Sequence, residues 1–162
     1  MQEKKIQLSF ITAHISELSE NEQQLVENAK SALKTAYAPY SGFLVGSSVL
    51  LENGEIINGS NQENVAYPSG LCAERVALFY AGARYPDVKV KKIAVSVLSK
   101  NFEVTEVVSP CGACRQVMAE YEEKQEEAIK VILHSPTDEV LIANTVEDLL
   151  PFMFKSPLLK KH

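Results

Sequence analysis

Apolar and polar positions along the chain fall into short blocks of changing period. Ser19-Glu-Asn-Glu22 has the form of a capping box, and Leu25, Ala29, Ala32, Leu33 and Ala36 follow at helical spacing. That pattern predicts a first helix that stops before Pro39, because proline disfavours helical dihedrals in the residue preceding it. Val45 to Leu51 and Glu55 to Ser60 read as strands joined across Asn53-Gly54, a dipeptide that takes the positive φ angles of a tight hairpin. Cys72, Val76, Phe79 and Ala83 fall at i, i+4, i+7 and i+11, so a second helix starts at or near the cysteine. Lys91 to Leu98 reads as a buried strand, and Cys114, Val117, Met118 and Tyr121 share one face of a third helix. Ile129 to Leu133 and Val140 to Ala143 are two further strands around a Pro136-Thr137-Asp138 turn. A short helix over 145–150 follows, capped by Thr145.

The order α-β-β-α-β-α-β-β-α predicts an α/β fold: three layers, α/β/α, around one mixed five-stranded sheet. Ile6, Leu8 and Phe10 alternate with polar residues over 4–12, which makes that stretch the candidate for an added edge strand. The expected division is an N-terminal extension over 1–18, a single domain over 19–155 and a C-terminal tail over 156–162. With 162 residues, one compact domain of this size buries roughly 70% of its unfolded surface and needs neither disulfide nor metal merely to fold.

Charge and composition narrow the class. Net charge is -5 and the pI about 5.3, against the basic groove with which nucleic-acid binders neutralise phosphates. No run approaches the 18 apolar residues of a membrane span, and the opening residues lack the unbroken apolar core of a secretory signal. The expected address is the cytoplasm, where the three cysteines stay reduced and read as thiolate chemistry or as packing.

Both cysteine segments sit at predicted helix starts, where unpaired backbone N–H groups and a partial positive charge favour thiolates. Cys72 alone reads as a small buried hydrophobe, and Pro110-Cys-Gly-Ala-Cys114 alone divides between a zinc half-site and a redox pair. Together, three thiolates suit Zn²⁺. A structural zinc site closes four positions, whereas here His14, His134 and His162 lie in no ligand-like spacing. Cys72, Cys111 and Cys114 would then leave one position open for water. Glu74 alone reads as an ordinary first-turn glutamate favoured by the helix dipole; beside a bound metal, two residues beyond a ligand, it points to a different azimuth and is free to move protons over the open position. Arg75, at i+3 from Cys72, could donate hydrogen bonds to sulfur and restore acidity to the metal; Arg115, directly after Cys114, reads equally as a second such donor or as a surface salt-bridge partner.

Cys72-Ala-Glu-Arg75 followed by Pro110-Cys-Gly-Ala-Cys-Arg-Gln116 resembles the small, single-domain cytidine deaminases with three cysteine ligands. Tyr40-Ser-Gly-Phe-Leu-Val-Gly46, Asn61-Gln-Glu-Asn64 with Tyr67-Pro68, and Leu149-Leu-Pro151 with Phe152 and Phe154 extend the likeness in order over about residues 20–155. The resemblance implies one zinc per chain and hydrolysis of cytidine or deoxycytidine to uridine or deoxyuridine in pyrimidine salvage, through a zinc-bound hydroxide and Glu74 as proton shuttle. It implies that Asn61 and Glu63 hold the ribose 3′-hydroxyl, that Phe43 and Tyr67 adjoin the nucleoside, and that backbone groups around Ala73 and Ser109–Pro110 hold the base. It further implies a homotetramer with shared sites, Phe154 reaching a neighbouring subunit and Phe152 competing for that role.

Three other readings stay in view. A related deaminase of nucleic acid usually has histidine in place of Cys72, and a deaminase of modified nucleosides is opposed mainly by Asn61, Glu63 and Tyr67-Pro68. A non-catalytic zinc-binding interaction module and a thiol redox protein would show no turnover of cytidine.

Overall fold

The computed structural model describes residues 1–155 and Leu159; the tail expected over 156–162 otherwise lies outside the described residues. The strands are β1 (Ile11–His14), β2 (Phe43–Leu51), β3 (Ile56–Ser60), β4 (Val90–Ser99), β5 (Lys130–His134) and β6 (Glu139–Ala143), in one sheet of order β1-β6-β5-β4-β2-β3. The helices longer than one 3₁₀ turn are α1 (Glu20–Ala32), α2 (Ala73–Arg84), α3 (Gly112–Gln125) and α4 (Val146–Leu149). Among the described residues no helix is long and apolar enough to cross a membrane.

The three layers follow from alternation. Leu25, Val26 and Ala29 of α1 bury themselves against Ala94, Ile132, Val140 and Ile142 on one face of the sheet. Val49, Ile93, Val95, Val131 and Leu133 point to the other face, where Ala77 and Leu78 of α2 and Met118 of α3 cover them. Every pair of neighbouring strands is antiparallel except β4 with β5, so the sheet is mixed as expected. The β4–β5 connection is the crossover that parallel strands require, and it carries α3.

Topology places the chemistry. Because β3 and β4 are both antiparallel to β2, their carboxyl ends meet at one edge of the sheet together with the start of β2. α2 leaves from the end of β3 and α3 from the end of β4, so both helix N-termini converge there. Gly59 makes the close approach of α2 feasible, since a Cβ at this position would lie 2.6 Å from the Ala73 carbonyl oxygen and from the Ala77 nitrogen.

Two expectations need correction. The sheet has six strands, and its edge strand is Ile11–His14, with Ile6, Leu8 and Phe10 left exposed. The partner sets this limit. Ile11 to His14 pair with Ile142 back to Glu139 of β6, which ends one residue further on at Ala143. There the Ser9 N–H bonds the Asp148 carboxylate instead. α2 starts at its N-cap Cys72, as the spacing predicts, with Ala73, Glu74, Ala77, Leu78 and Ala81 on its inward face and Phe79 exposed. Period alone fixes the helix but not which of two small-residue faces meets the sheet.

The predicted capping box forms. Ser19 N–H and Oγ both donate to Glu22 Oε2, at 3.2 and 2.8 Å. Glu22 Oε1 also accepts from Lys92 Nζ of β4 at 2.7 Å and Lys130 Nζ of β5 at 2.9 Å, tying α1 to the sheet. Burial pushes its pKa up, but the hydrogen bonds from Lys92, Lys130 and Ser19 outweigh burial and bring it from 4.5 down to about 2. A lowered folded-state pKa contributes stability that is complete above about 4.5 and lost as pH falls towards 2. Glu22→Gln is therefore expected to lose on the order of 2 kcal/mol at pH 7 and to show a shallower decline below pH 4.5 than the parent, in urea melts across that range.

Candidate active site

Cys72 is the N-cap residue of α2 and Cys111 that of α3, with Cys114 one turn into α3. Their sulfurs lie together: Cys72 Sγ is 3.8 Å from Cys111 Sγ, Cys111 Sγ is 3.5 Å from Cys114 Sγ, and all three fall within 4.8 Å of one another. The Cys114 N–H also donates to Cys111 Sγ at 3.5 Å, as expected of a helix start that carries a thiolate. Hydrogen bonding from the Cys114 thiol, outweighing burial and joined by Arg75, brings the Cys72 pKa down to about 5. Hydrogen bonding to Cys72 and burial push Cys114 strongly up. One sulfur of the group thus carries negative charge readily, and a neighbour does so only if a cation joins them. A borderline-soft divalent ion such as Zn²⁺ fits that donor set.

Arg75 stands where its spacing put it. Its Nη2 donates to Cys72 Sγ at 3.6 Å, while its Nε has no partner among the described residues. Arg115 does not share this task. Its Nε donates to the Pro110 carbonyl at 2.7 Å and its Nη1 to the Leu149 carbonyl at 3.0 Å, so it braces the start of α3 against the end of α4. A residue one step beyond Cys114 is rotated about 100° round the helix, and here that rotation carries it away from the sulfurs. His134 is also accounted for elsewhere, with Nδ1 3.0 Å from Ser96 Oγ and Nε2 3.1 Å from Asp138 Oδ1.

Glu74 is 4% exposed and borders a cavity of about 700 Å³ together with Cys72 and Cys111. Burial holds its carboxyl above the ordinary carboxylate range, opposed by its own backbone N–H and reinforced by the charge on Cys72. Ala73 is fully buried and opens α2. The far end of the cavity is built by Asn61, Glu63, Phe43 and Tyr67. Asn61 Oδ1 accepts from the Val45 N–H at 2.8 Å and its Nδ2 donates to the Phe43 carbonyl at 2.9 Å, so its amide clamps the start of β2. Glu63 Oε2 accepts the N–H groups of Tyr40 and Ser41, at 2.9 and 3.3 Å.

Several lining residues escaped sequence reasoning. Val95 and Val97 of β4 and Val108 of the β4–α3 loop supply apolar wall, and Tyr40 meets Tyr67 edge-on at 5.9 Å. Phe102 stacks on Phe43 with ring centroids 6.1 Å apart. Only Tyr40 sat in a recognisable segment; the others belong to a strand that reads as plain core and to a loop without periodicity. Phe154 lies outside this chain's cavity, 72% exposed, its backbone held by Gln116 at 2.9 and 2.7 Å.

The contrast between the two arginines is testable. Arg75→Leu is expected to weaken zinc binding by about 10–100-fold in competition with a chromogenic chelator. Arg115→Leu should leave zinc affinity unchanged while lowering Tm.

The chain matches the family model described as the cytidine and deoxycytidylate deaminase zinc-binding region over residues 19–128. It is 39% identical to the cytidine deaminase of Halalkalibacterium halodurans over 132 residues, 82% of this chain and 92% of that one. It is 44% identical to that of Sporosarcina psychrophila over 102 residues, covering 61% and 68%. The crystal structure of the Burkholderia pseudomallei cytidine deaminase superposes with a TM-score of 0.70 at 36% identity, over 85% of this chain and all of that one. The matched span takes in both cysteine segments and the glutamate between them, and the chain belongs to the cytidine and deoxycytidylate deaminase family.

Proposed function

We propose that this protein catalyses the hydrolytic deamination of cytidine and deoxycytidine to uridine and deoxyuridine, with release of ammonia. The observation that carries the reading is that buried Glu74 lines, together with Cys72 and Cys111 of a three-sulfur cluster, one cavity large enough for a nucleoside. Cys72, Cys111 and Cys114 would hold one zinc per chain, which when bound lowers the pKa of a water towards ~7 and so supplies a nucleophile at neutral pH.

The chain's own residues do the rest. Asn61 and Glu63 take the sugar 3′-hydroxyl, where amide and carboxylate can meet it as donor and acceptor. Phe43 lies beside the base, and backbone groups at Ala73 and around Ser109–Pro110 fix the pyrimidine. Glu74 accepts a proton from the attacking water and passes it to N3 of the ring as oxygen adds at C4. It carries a second proton to the departing amino group, so that water and cytidine leave as ammonia and uridine. Its raised pKa suits a group that must both accept and give a proton.

The proposal extends to cellular role and assembly. The protein acts in pyrimidine salvage in the cytoplasm, on free nucleosides and not on nucleic acid or at a membrane. It works as a homotetramer in which Phe154, exposed and held clear of its own cavity, reaches a neighbouring subunit's site. The exposed Phe79 and Tyr80 of α2 support such an assembly, since a monomer leaves them in water.

Glu74→Gln is expected to keep its zinc and lose at least 10³-fold in kcat, because both proton transfers pass through the carboxylate. Retained turnover, followed by the fall in cytidine absorbance, would show that another group moves the protons. For the assembly, light scattering should give four chains per particle, and Phe154→Ala should lower activity without changing zinc content.

A further inference from the structure

Glu63 is held by an arrangement that neither the sulfur cluster nor Glu74 touches. Its Oε2 accepts two backbone N–H groups, those of Tyr40 and Ser41. Its Oε1 has a different partner, the Ser41 hydroxyl. That hydroxyl in turn accepts the Phe43 N–H at 2.9 Å, so its single proton is committed to the carboxylate. The Phe43 carbonyl takes the Asn61 amide at 2.9 Å, and the Asn61 oxygen takes the Val45 N–H at 2.8 Å. Glu63, Ser41, Phe43 and Asn61 thus form one continuous polar chain along the cavity wall, and the two groups assigned to the sugar stand at its ends.

The other contacts of this segment brace it from behind. Asn101 Nδ2 donates to the Ser41 carbonyl at 2.8 Å, and the Lys100 N–H donates to the Gly42 carbonyl at 3.0 Å. Gly42 has φ +65, and a Cβ there would stand 2.5 Å from Asn101 Nδ2, so the turn is shaped for glycine and for that asparagine. The hydroxyl of Ser41 therefore rests on a fixed turn, not on a mobile loop tip.

We propose that Ser41 is a positioning residue for nucleoside recognition: its hydroxyl aims Glu63 Oε1 at the sugar 3′-hydroxyl and couples it to Phe43 and Asn61. This rests on the reading of Glu63 as the acceptor for that hydroxyl. A carboxylate oxygen has two lone pairs, so Oε1 can keep Ser41 and still accept the ligand. Without the Ser41 hydroxyl, Oε2 stays anchored by two backbone groups while Oε1 loses the hydroxyl that holds it. Burial raises the Glu63 pKa, yet the Ser41 hydroxyl and the two backbone N–H groups outweigh it and keep the group anionic, as an acceptor must be. Ser41 is an exposed residue, so removing its oxygen deletes no core packing.

The experiment compares the zinc-loaded parent, Ser41→Ala, Ser41→Thr and Glu63→Gln on cytidine and on 3′-deoxycytidine. Ser41→Ala is expected to raise KM for cytidine roughly tenfold with kcat changed less than about twofold, the loss of one hydrogen bond to a charged group. Ser41→Thr should recover most of that affinity. On 3′-deoxycytidine the KM penalty of both Ser41→Ala and Glu63→Gln should vanish, because the contact they serve is gone from the substrate. If only the Glu63→Gln penalty vanishes, Glu63 reads the sugar and the role given to Ser41 is overturned. If the Glu63→Gln penalty persists on 3′-deoxycytidine, the sugar reading of Glu63 fails, and the role of Ser41 fails with it.

Discussion

Three sulfurs within 4.8 Å of one another present an electrostatic problem that the rest of the site is built to solve. Thiolates so close repel one another, and the structure answers with positive potential from several sources. Two helix N-termini point at the cluster, and Arg75 donates to Cys72 from the next position on the helix face. The remaining charge calls for a cation, which the family's zinc-binding region supplies a reason to expect. Glu74 sits within the same field and is buried besides, so its carboxyl rises where Cys72 falls. One local constraint therefore shifts both the thiols and the carboxyl beside them.

That constraint depends in turn on sheet topology. Had β3 and β4 run in opposite directions, α2 and α3 would start at opposite edges and the three sulfurs could not meet. Their common alignment against β2 brings both helix starts to one edge, and it brings the start of β2 there as well. This is why Cys72 and Cys111 line the same cavity as Phe43, Asn61 and Glu63. The core residues on the far face, gathered under α1 and pinned by Glu22 to two lysines of the sheet, hold the frame without touching the chemistry.

The two ends of the cavity are built differently. Around the sulfurs, side chains meet at helix termini and their protonation states are mutually dependent. At the other end, polar atoms are paired with backbone groups of a single segment, from Tyr40 to Val45, and their geometry is set by hydrogen bonds. Phe102 and Asn101 of the β4–α3 loop lean on that segment from outside. A loop with no regular structure thereby supports the segment that lines the cavity.

The sequence by itself determined what local rules govern. Capping boxes, a hairpin dipeptide and helical periods placed α1, the β2–β3 turn and the starts of α2 and α3, because each depends only on residues a few positions apart. Local spacing also put Cys72 and Cys111 at helix starts, whereas only the joint pattern of the three cysteines with Glu74 pointed to one site. What depends on distant partners was decided by tertiary structure. The edge strand formed where Ile11–His14 meet β6, and Arg115 turned to Pro110 and Leu149 because the end of α4 lies beside it. The face of α2 that entered the core, and the link from Ser41 to Glu63, likewise rest on contacts across more than twenty residues. Spacing along a chain encodes direction on a helix or strand, and only packing settles what lies in that direction.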